Sequence, residues 1–219
     1  MINLQYPKVF EDDVKGREYG NQILRDGYVA LPHFLTPSFF TEVEKFAERV
    51  CHGEVTVSKS DKDTPMMQLA HSPECMRMFD AVYRLRCEAE GKPCTPLDPG
   101  RQRGGMPHMD AADGRAAKRT EFHYDGAYVN AIIGVIEPPA GQGALHLFPN
   151  LRSKFKNVFV GKVAARILRH LRFIRQLAGG VHIRPEKNVL YLFFGDRSFH
   201  VVEPITSGRR AVITLNSHW

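Results

Sequence analysis

The chain has 219 residues, of which 43% are hydrophobic and 25% charged, and its formal net charge at pH 7 is +6. These values are ordinary for a soluble globular protein, and the length is enough to bury a core without disulfide bonds. No apolar run approaches the roughly 20 residues that a membrane-spanning helix needs. The first twenty residues are mixed and charged, unlike a signal peptide, so we expect a cytoplasmic protein. The four cysteines form no C-x-x-C pair, which argues against a zinc knuckle and favours reduced thiols.

The first 90 residues are predicted to be largely helical. Helices are predicted over residues 18–26, 37–51 and 72–90. Short strands are predicted over residues 28–31 and 54–59. Thr36 and Pro37 mark a helix start, because a hydroxyl at the N-cap and proline at the first helical position are both favoured there. The residues of the third helix that are predicted to face inward are Met76, Phe79, Val82, Tyr83 and Leu85.

The character of the chain changes after residue 119. Residues 91–118 are rich in glycine, proline and charge and are predicted to form a long loop, which we interpret as a lid. Strands are then predicted over residues 120–124, 127–136, 144–148, 181–184, 189–194, 198–202 and 210–216. A helix over about residues 160–177 interrupts this series. Short strands separated by glycine and proline are typical of an all-β sandwich or barrel.

The segment around residue 123 carries a pair of metal-ligating side chains. In a strand, residues i and i+2 point to the same face, so His123 and Asp125 project together. An imidazole and a carboxylate are two of the three ligands of the 2-His-1-carboxylate triad, which is typical of non-haem Fe(II) oxygenases and leaves coordination positions open. An H-x-D pair alone is a weak signal. A second pair, His108 and Asp110, lies in the predicted loop without flanking strand character, and we interpret it as a surface or lid feature.

A late segment, residues 195–216, supplies a third ligand and a family resemblance. His200 lies near the start of a predicted strand, Pro204 and Gly208 fall in a turn, and Arg210 follows ten positions after His200. This arrangement resembles the 2-oxoglutarate- and Fe(II)-dependent dioxygenases, especially their prolyl-hydroxylase-like and phytanoyl-hydroxylase-like branches. Residues 23–35 and 143–149 are also similar to segments of that family, and the resemblance covers about residues 19–50 and 120–219.

The resemblance implies a site for iron and a cosubstrate. His123, Asp125 and His200 would bind Fe(II), with 2-oxoglutarate and O₂ as the further reactants. Arg210 would bind the distal carboxylate of 2-oxoglutarate, because a planar guanidinium binds a carboxylate bidentately. Arg209, on the opposite face of the strand, is the second choice for that role.

One position departs from the family pattern. The family often has serine or threonine two positions after the basic residue, and Val212 stands there. Thr214, Tyr191 or Asn130 is expected to supply the hydroxyl or amide instead. Asp125 stands where related halogenases have glycine or alanine, which disfavours halogenation.

The resemblance also implies a fold and a reaction. The fold would be mainly β, a double-stranded β-helix (a jelly-roll, cupin-like barrel) buttressed by N-terminal helices. One domain over 1–219 would comprise helical support and a lid in 1–119 and a barrel core in 120–219, with a helical insertion at 153–178. The reaction would be oxidation, most simply hydroxylation, of a small polar metabolite such as an amino acid or natural-product intermediate. The alternatives are a peptide (prolyl-type) hydroxylase and a catalytically degenerate barrel that acts as a binding module. Candidate substrate contacts are Tyr124, Tyr128, Arg101, Arg103 and His108.

The predicted helix over residues 160–177 is amphipathic and basic. Val163 and Ile167 fall on its apolar side. The opposite side carries Lys162, Arg166, Arg169, Arg172 and Arg175. These cations form either a solvated outer face or a docking surface for an acidic partner or an anionic substrate. Few aromatic residues interleave with them, so a nucleic-acid partner is not favoured.

Overall fold

The computed structural model describes residues 13–55, 64–94, 108–112, 122–151, 163, 167 and 180–217. In these ranges the elements follow in the order α1 (Asp13–Asp26), β1 (Tyr28–Pro32), α2 (Pro37–Cys51), α3 (Pro65–Ala70), α4 (Pro73–Glu90), β2 (His108–Ala112), β3 (Val129–Ile136), β4 (Leu145–Phe148), β5 (Val181–Ile183), β6 (Val189–Phe193), β7 (Phe199–Val202) and β8 (Arg210–Ser217). Among the helices of these ranges, none has the length and apolar character to cross a membrane.

Helices α2, α3 and α4 begin in the same way. A hydroxyl at the N-cap, from Thr36, Thr64 or Ser72, accepts a hydrogen bond from the backbone N–H three residues further on. A proline follows each cap, and it sacrifices no helical hydrogen bond because the first N–H groups of a helix have no partner within it. The predicted helices that begin after Thr36 and Ser72 are confirmed. The short helix α3 was not anticipated, since six residues are too few for a periodic pattern.

Two antiparallel sheets form the β part of the fold. The larger sheet has five strands in the order β1-β6-β3-β8-β2, and the smaller has three in the order β5-β4-β7. Tyr28 of β1 lies opposite Phe193 of β6, and Leu147 of β4 lies opposite His200 of β7. The prediction of a mainly β fold with flanking helices is confirmed.

Alternation along the central strands separates two cores. On β3, Ala131 and Ile133 pack against the helices, whereas Ile132 points between the two sheets. The helix side of the large sheet is covered by residues such as Phe39 of α2 and Phe79 of α4. The core between the sheets consists of Ile132, Val189, Tyr191, Phe193 and Val212 from the large sheet with Leu145, Leu147 and Ile183 from the small one. The helices therefore buttress the outer face of the large sheet, as predicted, and the inner faces of both sheets enclose an apolar interior.

Two predictions about the segments before β3 are wrong. Residues 91–118 are not one continuous loop, because β2 pairs along β8 with His108 opposite Thr214 and Asp110 opposite Val212. Strand β2 lacks the alternation of apolar and polar residues by which a strand is predicted from sequence. Its structure depends instead on its pairing with β8. The strand predicted over 120–124 is reduced, within its described residues 122–124, to a single bridge between His123 and His200. The interpretation of residues 91–118 as a lid stays a prediction.

The inward face of α4 also differs from its prediction. Met76, Tyr83 and Leu85 are only half-buried, whereas Cys75 and Met78 are buried. The buried face also includes Arg86, whose charge is met by acidic partners. An apolar pattern cannot assign an arginine to a core, so the predicted face is turned slightly away from the observed one.

Several predictions lie outside the described residues. They include most of the strand predicted over 54–59, Arg101, Arg103 and the helix predicted over 160–177 except for two residues. Val163 and Ile167 are helical, and they are 42% and 40% exposed. The single-domain organisation over residues 1–219 stays a prediction.

Candidate metal centre

His123, Asp125 and His200 come together at one end of the sheets. Nε2 of His123 lies 3.3 Å from Oδ1 of Asp125, and Nε2 of His200 lies 3.2 Å from Oδ2. One ligand atom from each of the three residues lies within 4.8 Å of the other two. The exposed fraction of the side chain falls from 45% for His123 to 23% for Asp125 and 6% for His200. The cluster therefore has a solvent-facing side at His123 and a buried side at His200.

Backbone pairing creates this cluster. His123 and His200 exchange both hydrogen bonds of an antiparallel pair, with N···O distances of 2.9 and 3.0 Å. Directly opposed residues project on the same side, so the two imidazoles face each other with ring centroids 4.5 Å apart. The N–H of Asp125 donates to the carbonyl of Gly195 at 3.2 Å, which ties the carboxylate segment to the end of β6.

The two less exposed ligands, His200 and Asp125, are each oriented by a neighbour. Nδ1 of His200 lies 2.9 Å from the carbonyl oxygen of Ser198. A carbonyl can only accept, so Nδ1 of His200 carries a proton, and Nε2, which faces Asp125, is the nitrogen that can release its proton and bind a metal ion. Nδ2 of Asn130 donates to Oδ2 of Asp125. Oδ1 of the same amide is buried and has no hydrogen-bond partner among the described residues, so it can accept a hydrogen bond from a bound molecule.

The pKa of the Asp125 carboxyl lies well below its ordinary value. Burial opposes ionisation, but hydrogen bonds from His123, His200 and Asn130 and the charge of His200 outweigh that effect. Asp125 is therefore ionised at neutral pH, which is the state in which a carboxylate binds a cation.

Arg210 lies inside the sandwich, at the start of β8. It is 3% exposed, and its Nη1 donates to the carbonyl oxygens of Gly143 at 3.4 Å and Glu203 at 3.2 Å. These two carbonyl acceptors orient the guanidinium. Arg209, directly before β8, is exposed, and its guanidinium pairs with Glu48. Arg210, the first residue of β8, is thus directed inward, whereas Arg209, directly before the strand, is exposed.

The structure places the other predicted cosubstrate residues at three different points of the interior. Tyr191 packs in the core between the sheets, and its hydroxyl donates to the carbonyl of Arg184 and accepts from the N–H of Glu186. Thr214 is half-buried and lies opposite Ile132. Asn130 lies against Asp125 rather than near Arg210.

The two tyrosines that were predicted to contact substrate lie in aromatic clusters. The ring of Tyr124 is 5.1 Å from that of Phe199 on the outer side of the small sheet. The ring of Tyr128 packs edge-on against Tyr83 and lies beneath the guanidinium of Arg86. The side chain of His108 lies outside the described part of the chain.

Sequence reasoning missed Gly195, which shapes the site. A Cβ at this position would lie 2.6–2.8 Å from three atoms of the Asn130 side chain. The absence of a side chain therefore leaves the space in which the Asn130 amide reaches Asp125. A glycine directly after an apolar strand is the signal that could have pointed to this close approach.

The sequence matches no protein-family model and no curated protein. The fold, in contrast, resembles solved enzymes over nearly the whole chain. The non-heme α-ketoglutarate-dependent epimerase SnoN from nogalamycin biosynthesis superposes with a TM-score of 0.64 at 15% identity, covering 94% of this chain and 82% of SnoN. SnoN has also been solved in complex with Fe³⁺, α-ketoglutarate and nogalamycin RO.

Prolyl hydroxylases are similar in the same way. The enzyme of Trichoplax adhaerens, solved with a peptide of the hypoxia inducible factor oxygen degradation domain, gives a TM-score of 0.52 at 17% identity over 95% of this chain and 90% of its own. The prolyl-4-hydroxylase of Pseudomonas putida gives 0.50 at 14% identity over 100% and 99%. At these identities the likeness establishes the fold, and the predicted resemblance is confirmed at that level. This chain shares the jelly-roll-type fold of non-heme α-ketoglutarate-dependent enzymes and prolyl hydroxylases.

Proposed function

We propose that this chain is a cytoplasmic Fe(II)- and 2-oxoglutarate-dependent oxygenase that hydroxylates a C–H bond of a small polar metabolite, with decarboxylation of 2-oxoglutarate to succinate. The observation that carries the proposal is the convergence of His123, Asp125 and His200, whose ligand atoms lie within 4.8 Å of one another. Two imidazoles and one carboxylate are the donor set of non-haem Fe(II) oxygenases.

The hydrogen bonding and ionisation of these side chains, as well as their chemical identity, fit an iron ion. The hydrogen bond from Nδ1 of His200 to Ser198 leaves Nε2 as the donor. The low pKa of Asp125 keeps the carboxylate ionised, and Asn130 holds its orientation. When bound, the iron would supply the activation of O₂ and an anchor for the 2-oxo acid group.

Arg210 is suited to the distal carboxylate of 2-oxoglutarate. Its guanidinium donates to the carbonyl of Glu203, which lies three residues beyond His200, directly after β7. Three extended residues span about 10 Å, which is a separation that a five-carbon dicarboxylate extending from the metal can bridge. Ile132, Phe193 and Val212 line the core between these points. This apolar surface would exclude water from the reacting end and strengthen the attraction between Arg210 and the carboxylate.

The substrate would enter from the His123 side, where the cluster meets solvent. SnoN was solved with nogalamycin RO, which supports a small-molecule substrate. The excess of cations in the sequence, including five between Lys162 and Arg175, favours an anionic or acidic substrate. The Trichoplax adhaerens hydroxylase was solved with a peptide, so peptides belong in the substrate screen as the alternative class.

Anaerobic titration with Fe(II) and then 2-oxoglutarate tests the proposal. The chelate of the two gives a weak visible charge-transfer band, which is expected in the wild type and absent in His200→Ala. Arg210→Ala is expected to need about 30-fold more 2-oxoglutarate or above, since removing one partner of a buried charge pair costs about 2 kcal/mol or more. Arg209→Ala is the matched control, and it should titrate like the wild type.

The outcomes separate the parts of the proposal. A wild-type protein that binds no iron and gives no band would overturn it. A band with equal cosubstrate dependence in Arg209→Ala and Arg210→Ala would keep the metal site and reject the role of Arg210. Succinate formation that rises with one compound class in the screen would then identify the substrate class.

A further inference from the structure

A second cluster of metal-ligating side chains lies on the opposite face of the small sheet. His146 of β4 is directly opposite His182 of β5, and Glu203 follows β7. The inner face of β4 carries Leu145 and Leu147, and Leu147 lies opposite His200. Since side chains alternate, His146, His182 and Glu203 project from the outer face, away from the triad.

The geometry of the three side chains is that of a coordination site. One ligand atom from each lies within 4.8 Å of the others, and the two imidazole rings stack with centroids 3.9 Å apart. Nδ1 of His182 lies 3.6 Å from Oε1 of Glu203. That separation is too long for a hydrogen bond, but two ligands bonded to one metal at about 2.1 Å in a tetrahedron lie about 3.4 Å apart.

The framework around this cluster is fixed by the sheet. The N–H of Glu203 donates to the carbonyl of Ala144 at 2.8 Å, which holds the start of its side chain beside β4. The ring of His146 packs against Phe148, with centroids 4.7 Å apart. A Cβ at residue 180 would lie 2.6 Å from Nε2 of His146, so only glycine allows the backbone to pass this close to the ring. His182 and Glu203 are partly exposed, so an ion can enter from solvent.

We propose that His146, His182 and Glu203 form a second binding site, for a divalent transition-metal ion such as Zn²⁺, on the outer face of the small sheet. Two imidazoles and one carboxylate are a donor set that zinc takes with a fourth position left for water. The donors include two nitrogens, which favours zinc and its transition-metal neighbours over Mg²⁺ or Ca²⁺. The site does not depend on the proposed oxygenase activity.

Zinc stoichiometry tests the second site. Metal-free, tag-free protein is dialysed against Zn²⁺ and its metal content is measured. The wild type is expected to bind two Zn²⁺ ions per chain. The single variants His182→Ala and His200→Ala should each bind one, and the variant that carries both substitutions should bind none. His182 is an exposed edge residue, so its substitution should leave the fold intact, as circular dichroism would verify. His71→Ala removes an exposed histidine of neither cluster and is the matched control, expected to bind as the wild type does.

Affinity at the second site gives an independent check. In the His200→Ala background, Glu203→Gln keeps the side-chain shape but removes the carboxylate charge, and it should weaken Zn²⁺ binding by about ten-fold or more. One ion in the wild type and none in His182→Ala would support the second site even if the triad bound nothing. A His182→Ala protein with the zinc content and affinity of the wild type would overturn the proposal.

Discussion

Arg86 joins helix α4 to the two segments that carry the metal ligands. Its Nη1 and Nη2 donate to the two carboxylate oxygens of Asp196 at 2.8 and 2.7 Å, in a bidentate pair. Nη1 also donates to the carbonyl of Tyr128 at 3.2 Å, and Nε donates to Glu90 at 2.7 Å. The guanidinium lies over the rings of Tyr128 and Phe194, 4.9 Å from each centroid. This buried arginine therefore satisfies backbone, acidic and aromatic neighbours together.

The contacts of Arg86 continue to the metal centre. The N–H of Asp196 donates to the carbonyl of Ala127 at 2.9 Å, and the N–H of Asp125 donates to the carbonyl of Gly195 at 3.2 Å. The turn after β6 and the segment that carries Asp125 are thus held side by side, and Arg86 binds both. We infer that Arg86 is a positioning residue for Asp125.

The change Arg86→Met removes the charge and keeps much of the volume. It leaves the carboxylates of Asp196 and Glu90 without their buried partner, for which the expected cost is about 3–5 kcal/mol. The Asp196 side chain retains 25% exposure, so water offsets part of that loss. The expected cost is therefore at the lower end of this range. A loss of about 3 kcal/mol lowers the melting temperature of a chain of this size by roughly 6–12 °C.

Thermal unfolding followed by circular dichroism measures this change, and Fe(II) titration measures the effect on the site. Arg84→Ala is the matched control, because Arg84 lies on the same helix and pairs with Asp80 at 2.8 Å on the exposed side. That pair is worth about 0.5 kcal/mol or less, so its melting temperature should fall by no more than about 2 °C. Equal melting temperatures for Arg86→Met and Arg84→Ala would refute the energetic reasoning. A destabilised Arg86→Met with wild-type affinity for Fe(II) would refute the positioning role.

Three further predictions concern a glycine, a carboxylate and a thiol. Gly195→Ala should displace the Asn130 amide from Asp125 and weaken Fe(II) binding by about 10- to 100-fold in anaerobic titration; unchanged affinity would contradict this. Burial opposes ionisation of Glu90, but hydrogen bonds from Lys92 and Arg86 prevail and lower its pKa in the folded state. Its contribution to stability is therefore present above the unfolded pKa and lost as pH falls through the folded one. Between about pH 5 and pH 3, the free energy of unfolding measured in urea should fall more for the wild type than for Glu90→Gln. An equal fall in both proteins would refute this prediction. Burial, with the nearby charge of Glu74, raises the pKa of Cys75 to about 12. At pH 8 a thiol reagent should therefore modify Cys75 only after unfolding, and rapid labelling of Cys75 itself in the native protein, located by peptide mapping, would contradict this.

The parts of the fold that sequence predicts are those determined by local pattern. Strand β6 is an apolar run bounded by Asn188 and Gly195, and its prediction needs no partner. Thr36 and Pro37 predict the start of helix α2, and the observed N-cap is the hydrogen bond from the N–H of Phe39 to the Thr36 hydroxyl. These signals act within a few residues, so the elements that they define are placed nearly correctly.

Arg86 shows why other parts could not be predicted. A helical pattern assigns an arginine to the solvent face, because burial of an unpaired cation is too costly. Its burial is offset by Glu90 on the same helix and by the bidentate pair with Asp196, which lies 110 positions away and belongs to a turn between strands. No local pattern contains that pairing, so the inward face of α4 and its link to the site required the tertiary structure.

The two H-x-D pairs show how strand pairing, rather than the motif, decides which residues form a metal centre. His108 and His123 each precede an aspartate by two positions, and both lie in backbone that pairs with a neighbouring strand. The cross-strand partner of His108 is Thr214, whereas that of His123 is His200. Opposed residues share a face, so only the second pairing adds another imidazole to an H-x-D pair. A shift of one residue between His123 and β7 would turn His200 away from Asp125 and bring Phe199 or Val201 opposite instead. The triad is thus specified by the register of a single bridge, which the apolar alternation of β7 fixes by directing Phe199 and Val201 into the outer aromatic core.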